Sequence, residues 1–335
     1  MIKISIVIPM FNSFHTLRAG LMRFRCDTAC ALELIVVDDC SNDSSYTDAV
    51  AFASESDLDV KVLRVDSNRG PGHARNVGVK EATGDYITFM DSDDYFRSDF
   101  SEKLLPLLDG RYDCVIFDYA SVSCEGEILA TASSLGMEGA KEGPVDSRVA
   151  FVYAHGSPWG KIYKRETIVQ SGIRFAELYR NEDMPFTKAA IALSTAVYYC
   201  KDDLYRYVQR QGSLMSDESV DDESNCQRAF ALLSETLRGR DLTMEMLAIE
   251  LRCVLNNTVL HRIAKRSPRR EIVRYIKSSY RPEHLNNRYF KDYPRYARII
   301  SLLAYRRCIS GLRLIWWYAR RKKERPYVAK KHADN

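Results

Sequence analysis

Apolar residues fall in short, nearly unbroken runs through the first half of the chain and at helical spacing through its last third. The runs "ISIVIP" (4–9), "ELIVVDD" (33–39), "VKVLRVD" (60–66) and "DYITFMD" (85–91) are rich in β-branched residues and end in turn-forming ones, which predicts four strands. Between them "SFHTLRAGLMRF" and "GHARNVGVKEA" have helical length. Strand alternating with helix predicts an α/β fold, a mostly parallel sheet flanked by helices on both faces. Strands this uniformly apolar fit burial on both sides.

After "YDCVIFDYASV", residues 124–144 carry four glycines among small polar residues and read as a long loop. "AVYYC" and "LYRYV" read as two further strands. From about Asp221 onward strands give way to helical periodicity, so the chain divides into residues 1–220 and a helical region 221–335. Near its end, in "SLLAYRRCISGLRLIWW", Leu302, Tyr305, Ile309, Leu312 and Trp316 are spaced by alternating threes and fours, one apolar seam of a single helix. Arg306, Arg313 and Arg320 recur along its edge and "ARRKKER" follows. Such a helix suits an anionic membrane surface, with Trp316 and Trp317 at the interface. It equally suits packing on its own domain or on a second copy in a homo-oligomer, and both readings stay open.

Charge narrows the partners. Lys and Arg number 49 against 45 Asp and Glu, a net +4, which does not indicate a nucleic-acid coat. No stretch of about 18 apolar residues suggests a membrane span. The opening "MIKISIVIPM" lacks the form of a secretory signal, and nine cysteines without a C-x-x-C pair read as reduced, mostly buried thiols. The expectation is a cytoplasmic protein.

The candidate chemistry sits at strand ends. In "MDSDDYF" (90–96), Asp91, Asp93 and Asp94 follow an apolar strand directly, and their mutual repulsion needs relief by solvent or a cation. Ligands of an open parallel sheet bind beyond the carboxyl ends of its strands, so residues 9–12, 38–43 and 91–94 converge on one crevice. Asp43 there is as well explained as a turn residue. Two oxygen ligands on a short turn suit Mg²⁺ or Mn²⁺, which take one or two carboxylates and complete their shell with phosphate and water. "NRGPGHARNVG" (68–78) supports this with a glycine-bounded turn into a helix whose first turn carries Arg75 and Asn76, an anion-binding arrangement. His73 is assigned no role.

Together "SIVIPMFN", "ELIVVDDCSND", "NRGPGHARNVGVKEATGDYITFMDSDD", "WGKIYKRE" and "RNEDMPF" resemble, in order, the motifs of the family 2 glycosyltransferases, inverting enzymes of the GT-A fold. The resemblance covers roughly residues 3–215 and leaves the helical C-terminus outside it. It implies a metal-dependent enzyme moving a hexose from a nucleoside-diphosphate sugar, with uridine the implied base, to a hydroxyl of a saccharide or lipid-linked saccharide. Surface polysaccharide synthesis, at the inner face of the cell membrane, would be the setting. The resemblance also implies that Pro9, Phe11 and Asn12 border the base, Phe11 standing where the family often has Tyr. Asp39 would accept from the uracil ring, Asp91 would lie near the ribose, and Asp93 would be the metal ligand of the DXD motif. Arg75 would hold the diphosphate or orient these acids, and Arg210, with Ser213, would close over the phosphates. Asp183 matches the general base, with Glu182 beside it offsetting the acidifying effect of a helix N-terminus. Trp159 and Lys161 match the acceptor-side motif, although a buried tryptophan anchoring the domain is an equal reading. Two alternatives remain: a sugar nucleotidyltransferase, disfavoured because "PMFNSFH" is no glycine-rich phosphate loop, and an inactive GT-A scaffold or binding protein.

Overall fold

β1 (Ile2–Met10) is the apolar run that opens the chain, and it forms the axis of the sheet, paired in parallel with β2 (Cys30–Asp38) on one side and β4 (Tyr86–Phe89) on the other. The structure is a computed structural model that describes residues 1–24, 30–137, 139–178, 180–209, 222–292, 295–315 and 317. Beyond β2 lies β3 (Asp59–Arg64), again parallel. Pro9 is compatible with this central strand for a specific reason. The Val7 carbonyl accepts from Met90 on the β4 side, so the missing Pro9 amide faces the same side two residues later, where β4 has already ended.

Helices cover both faces as the alternation requires. Ile4, Ile6, Ile8 and Met10 pack with Leu34 and Val36 against Phe14, Leu17 and Leu21 of α1 (Phe14–Leu21), and Phe52 of α2 (Ser45–Glu55) closes the same cluster. On the other face, α3 (Pro71–Glu81) crosses β1 and β2.

The second half of the sheet is mixed. β9 (Lys161–Lys164) joins β4 to β6 (Cys114–Val122) by antiparallel pairing to both, and β10 (Val197–Val208) then runs parallel to β6. The order is β3-β2-β1-β4-β9-β6-β10-β5, with β5 (Tyr95–Phe96) antiparallel at the outer edge. The α-helices of this part include α4 (Phe100–Leu104), α5 (Ser147–Tyr153), α6 (Arg165–Ser171) and α7 (Asp183–Leu193).

Three expectations require correction. "AVYYC" and "LYRYV" belong to one strand, β10, whose register shifts between Cys200 and Tyr205. The polar "KDD" between them is held by Arg97, which bonds Asp203 at 2.7 Å and Asp202 at 3.4 Å. Residues 124–144 are not merely loop: β7 (Ile128–Ala132) pairs with β6 and β8 (Gly143–Val145) with β10. No disulfide joins the eight described cysteines, but only four of them are buried, with Cys124 and Cys308 exposed.

The chain forms two compact units, one of Met1–Val220 with Arg228–Arg240, the other of Asp221–Gln227 with Asp241–Asn335. α8 (Asp222–Thr236) contributes residues to both. The second unit holds α9 (Thr243–Ile249), a π-helical turn at Glu250–Leu255, α10 (Asn256–Ala264), α11 (Arg269–Ser279), α12 (Pro282–Leu285) and α13 (Arg295–Tyr305). Its interior includes a polar knot in which Asn256 donates to Ser301 and accepts from Tyr280, both at 2.9 Å.

The single C-terminal seam is also corrected. α13 stops at Tyr305 because Arg307 turns left-handed (φ 58°), with Cys308 N–H bonded to the Leu303 carbonyl and Arg307 N–H to that of Ala304. Helix resumes at residues 309–315. Leu302 and Tyr305 are therefore exposed while Ile309 and Leu312 are buried. Trp316 and Arg320 lie outside the described residues.

Candidate active site

The ends of β1 and β2 are tied to each other before any ligand is considered. Asn12, in the left-handed region at φ 49°, donates its amide to Ser41 Oγ and accepts from the Asn42 amide, both at 2.9 Å. Asp38 is buried and bound to Ser41 and Arg64, so it braces the loop. Asp39 accepts from the amides of Arg69 at 3.1 Å and Gly70 at 2.7 Å. That carboxylate thus anchors the turn into α3, while Phe11, just after β1, is 43% exposed. Asp43 accepts from the Ser45 amide at 2.9 Å, the turn arrangement.

The turn it anchors begins the next layer of the site. Gly70 (φ 86°) leads into Pro71, and a Cβ on Gly72 would come within 2.6 Å of the Ala176 carbonyl, so this helix start lies flush on the segment before α7. Asn76 fixes that segment through a two-way amide bond with the Phe175 backbone, at 2.8 and 2.9 Å, and Arg69 pairs with Glu177. His73 Nδ1 approaches Glu177 at 3.7 Å.

Arg75 is the junction. Its side chain, 5% exposed, bonds Asp91 Oδ1 at 2.7 Å and Glu182 Oε1 at 2.9 Å. These two bonds orient Asp91 and Glu182. Burial alone would lower the guanidinium, but Asp91, Glu182 and Asp183 outweigh it and hold the cation above its ordinary value.

Asp183 begins α7, as the pattern predicts. Although part of its surface is open, surrounding protein desolvates it, and that burial, followed by repulsion from Glu182 and against the pull of Arg75, lifts its carboxyl to about 7. The helix N-terminus does not make this acid strong. A carboxyl poised near neutrality can take a proton from a hydroxyl.

The three acids of "DSDD" separate once folded. Asp94 is buried and accepts from the Tyr205 hydroxyl at 2.7 Å and the Val208 amide at 2.8 Å, which fastens the turn to β10. The same hydroxyl accepts from the Asp91 amide at 3.1 Å. Ser13 bonds Ser92 at 2.8 Å and ties in α1. Asp91 and Asp93 remain partly open. Among the described residues no three acidic, His or Cys side chains form a closed metal cage. Two partly open carboxylates on one turn nonetheless fit Mg²⁺ or Mn²⁺, which need few protein ligands when phosphate supplies the rest.

Trp159 is half-buried, stacked on Tyr205 (centroids 4.9 Å apart, 2° between planes) and Tyr207 (5.6 Å, 22°), with Tyr119 edge-on. Lys161 lies wholly buried in β9; its ammonium donates to the carbonyls of Ser157 at 2.9 Å and Trp159 at 3.3 Å. Burial pushes that ammonium down to about 8 against the opposing pull of Cys114 and Asp183. Lys188 of α7 bonds the carbonyls of Phe151, Val152 and Ala154 at the end of α5, at 2.7, 3.2 and 2.5 Å. Two buried lysines therefore hold the loop that presents Trp159.

Tyr205 and Lys188 were not legible as site residues. The i, i+2 aromatic pair in "LYRYV" is the only sequence signal for the first, and nothing marks the second. Arg210 and Ser213 lie outside the described residues.

The family model described as glycosyl transferase family 2 matches residues 5–190. Glycosyltransferase GlyA of Streptococcus pneumoniae is 31% identical over 224 residues, 63% of this chain and 31% of GlyA. The poly(ribitol-phosphate) beta-N-acetylglucosaminyltransferase TarS of Staphylococcus aureus is 29% identical over 229 residues, 67% of this chain and 38% of TarS. The alignments thus span less than two thirds of these relatives' own length. A crystal structure of TarS residues 1–349 with UDP-GlcNAc matches with TM-score 0.66 at 20% identity, over 96% of this chain and 92% of that one, which shows the fold.

Proposed function

The chain belongs to glycosyl transferase family 2, and from that premise we propose that it is an inverting hexosyltransferase using a UDP-linked sugar. The observation that carries this reading is Asp183. Its carboxyl, near 7, lies at a helix start beside the Arg75 junction that also holds Asp91. Support for the donor comes from the shared fold with TarS, whose crystals contain UDP-GlcNAc.

In this reading Phe11 offers a face to the base, and Pro9 and Asn12 shape the rim. Asp39, held in place by two backbone amides, keeps acceptor capacity for the uracil ring. Asp91, oriented by Arg75, faces the ribose. A divalent ion on Asp93, when bound, would stabilise negative charge on the departing diphosphate. The acceptor hydroxyl attacks the anomeric carbon from the face opposite the diphosphate, and the bond to that leaving group breaks with its electron pair. Asp183 takes the hydroxyl proton. Glu182 acts through charge, and the Trp159 ring provides a surface for an acceptor sugar. The acceptor is a saccharide or lipid-linked saccharide, and the latter would place the enzyme at the inner face of the cell membrane.

The test is a panel of nucleotides and nucleotide sugars in thermal shift, with and without Mn²⁺, beside transfer or donor hydrolysis by wild type and Asp183→Asn. Metal-dependent stabilisation by UDP, with turnover lost in the variant, is expected. Indifference to every nucleotide would favour a scaffold, and undiminished turnover in the variant would remove the base assignment.

A further inference from the structure

α13 has two unlike faces. Ala297, Ile300, Ser301 and Ala304 are buried in the second unit, whereas Ile299 and Leu302 are each 40% exposed. Arg295, Ile299 and Leu302 are spaced four and three apart, and Arg298 lies four before Leu302, so these side chains share one outward stripe. The stripe borders a groove of about 560 Å³ also lined by Phe290 and Lys291.

Among the described residues no carboxylate lines this groove. Arg288, on its rim, is already paired with Glu245 at 2.6 Å. Among the described residues Lys291, Arg295 and Arg298 have no such partner. A soluble protein gains little from unpaired cations clustered around exposed aliphatic side chains, since each apolar group left in water forgoes its burial energy. The combination instead matches a surface that offers negative charge and hydrocarbon at the same depth. Long cationic side chains reach the headgroups while Ile299 and Leu302 enter the acyl boundary.

We propose that the Lys291–Arg295–Arg298 edge and the Ile299–Leu302 stripe of α13 form a docking surface for an anionic lipid bilayer. The inference rests on the lipid-facing part of the proposed function and not on the transfer chemistry. Further along the sequence, residues 319–331 carry seven Lys or Arg against one Glu. Of the seam anticipated from sequence, Leu302 belongs to this surface, whereas Ile309 and Leu312 are buried.

The experiment is cosedimentation of the full chain with vesicles of phosphatidylcholine alone and of phosphatidylcholine with phosphatidylglycerol, at low and high salt. Binding confined to the anionic vesicles and weakened by salt is expected. Partitioning should fall by about tenfold or more in Arg295→Glu/Arg298→Glu, since each charge near such a surface contributes measurably. Ile299→Asp should lower it too at constant charge on the edge residues. UDP thermal shift, read on the same samples, reports the first unit independently. Loss of vesicle binding with that shift retained separates this proposal from the fate of the enzyme reading. Unchanged binding in both variants would assign contact to residues 319–331 and overturn the proposal. Failure to bind either vesicle, with Ile299→Asp converting a dimer to a monomer in sedimentation, would make the stripe an interface between copies and overturn it as well.

Discussion

Arg75 and Asp91 meet at 2.7 Å, and the other amino group of the same guanidinium reaches Glu182, 107 residues further along the chain. One buried cation thus fixes the end of β4 to the start of α7. Arg75→Met would leave both carboxylates facing each other without it. Removing one member of a buried ion pair costs about 3–5 kcal/mol, and the partial exposure of Asp91 places this case near the lower end. Arg75→Lys should recover little, because a single ammonium cannot serve two acids with fork geometry. Urea denaturation midpoints of the three proteins check this.

The same cation opposes the upward shift of Asp183, so pH gives a second test. In the proposed mechanism Asp183 must be ionised to accept a proton, and with its carboxyl at about 7 turnover should rise through that pH. Asp183→Asn should lower turnover by about 10²–10⁴-fold while leaving UDP affinity intact. Stability runs the other way. The folded carboxyl holds its proton more tightly than the unfolded one, whose ordinary value is 3.8, so its contribution is complete below that value and is lost as pH rises towards about 7. Denaturation across this range should show a shallower fall for Asp183→Asn than for wild type.

What could be read in advance follows from locality. The strand runs, the start of α7 and the loop before α3 are set by residues close in sequence, and each was legible. Arg75 was visible as a helix-start cation, but its bond to Glu182, 107 residues away, was not, because nothing local in sequence shows that the two fold together. Asp91, Asp93 and Asp94 look alike in sequence. Only the register of β10, shifted between Cys200 and Tyr205, brings a hydroxyl onto the third. The break after α13 depends on an arginine in a left-handed conformation, where glycine would have signalled it.

Those acids should now respond differently to substitution. Asp93→Ala should abolish the Mn²⁺-dependent part of UDP stabilisation with little change in the melting temperature of the free protein, and chelation of the metal in wild type should reproduce that loss. Tyr205→Phe should instead leave Asp94 and the Asp91 amide short of a partner, at about 1–3 kcal/mol in stability. Calorimetry of both variants with and without UDP and Mn²⁺ distinguishes them. Equal destabilisation of the free proteins would mean that Asp93 is also structural.

The loop carrying Trp159 supplies the last contrast. Lys188 satisfies three carbonyls at the end of α5, and Lys161 holds two more just before β9. Replacing Lys188 by Met keeps the aliphatic stem but leaves those carbonyls without a donor, a loss of about 1–3 kcal/mol. The loop should loosen where Trp159 stacks on Tyr205, and Trp159 supplies a fluorescence probe once Trp316 and Trp317 are changed to Phe. In that background Lys188→Met should give a red-shifted, more quenchable emission, while UDP binding, which the proposed function assigns to the other strand ends, stays as before. An unchanged spectrum would show that stacking on Tyr205 and Tyr207 holds the indole without the lysine.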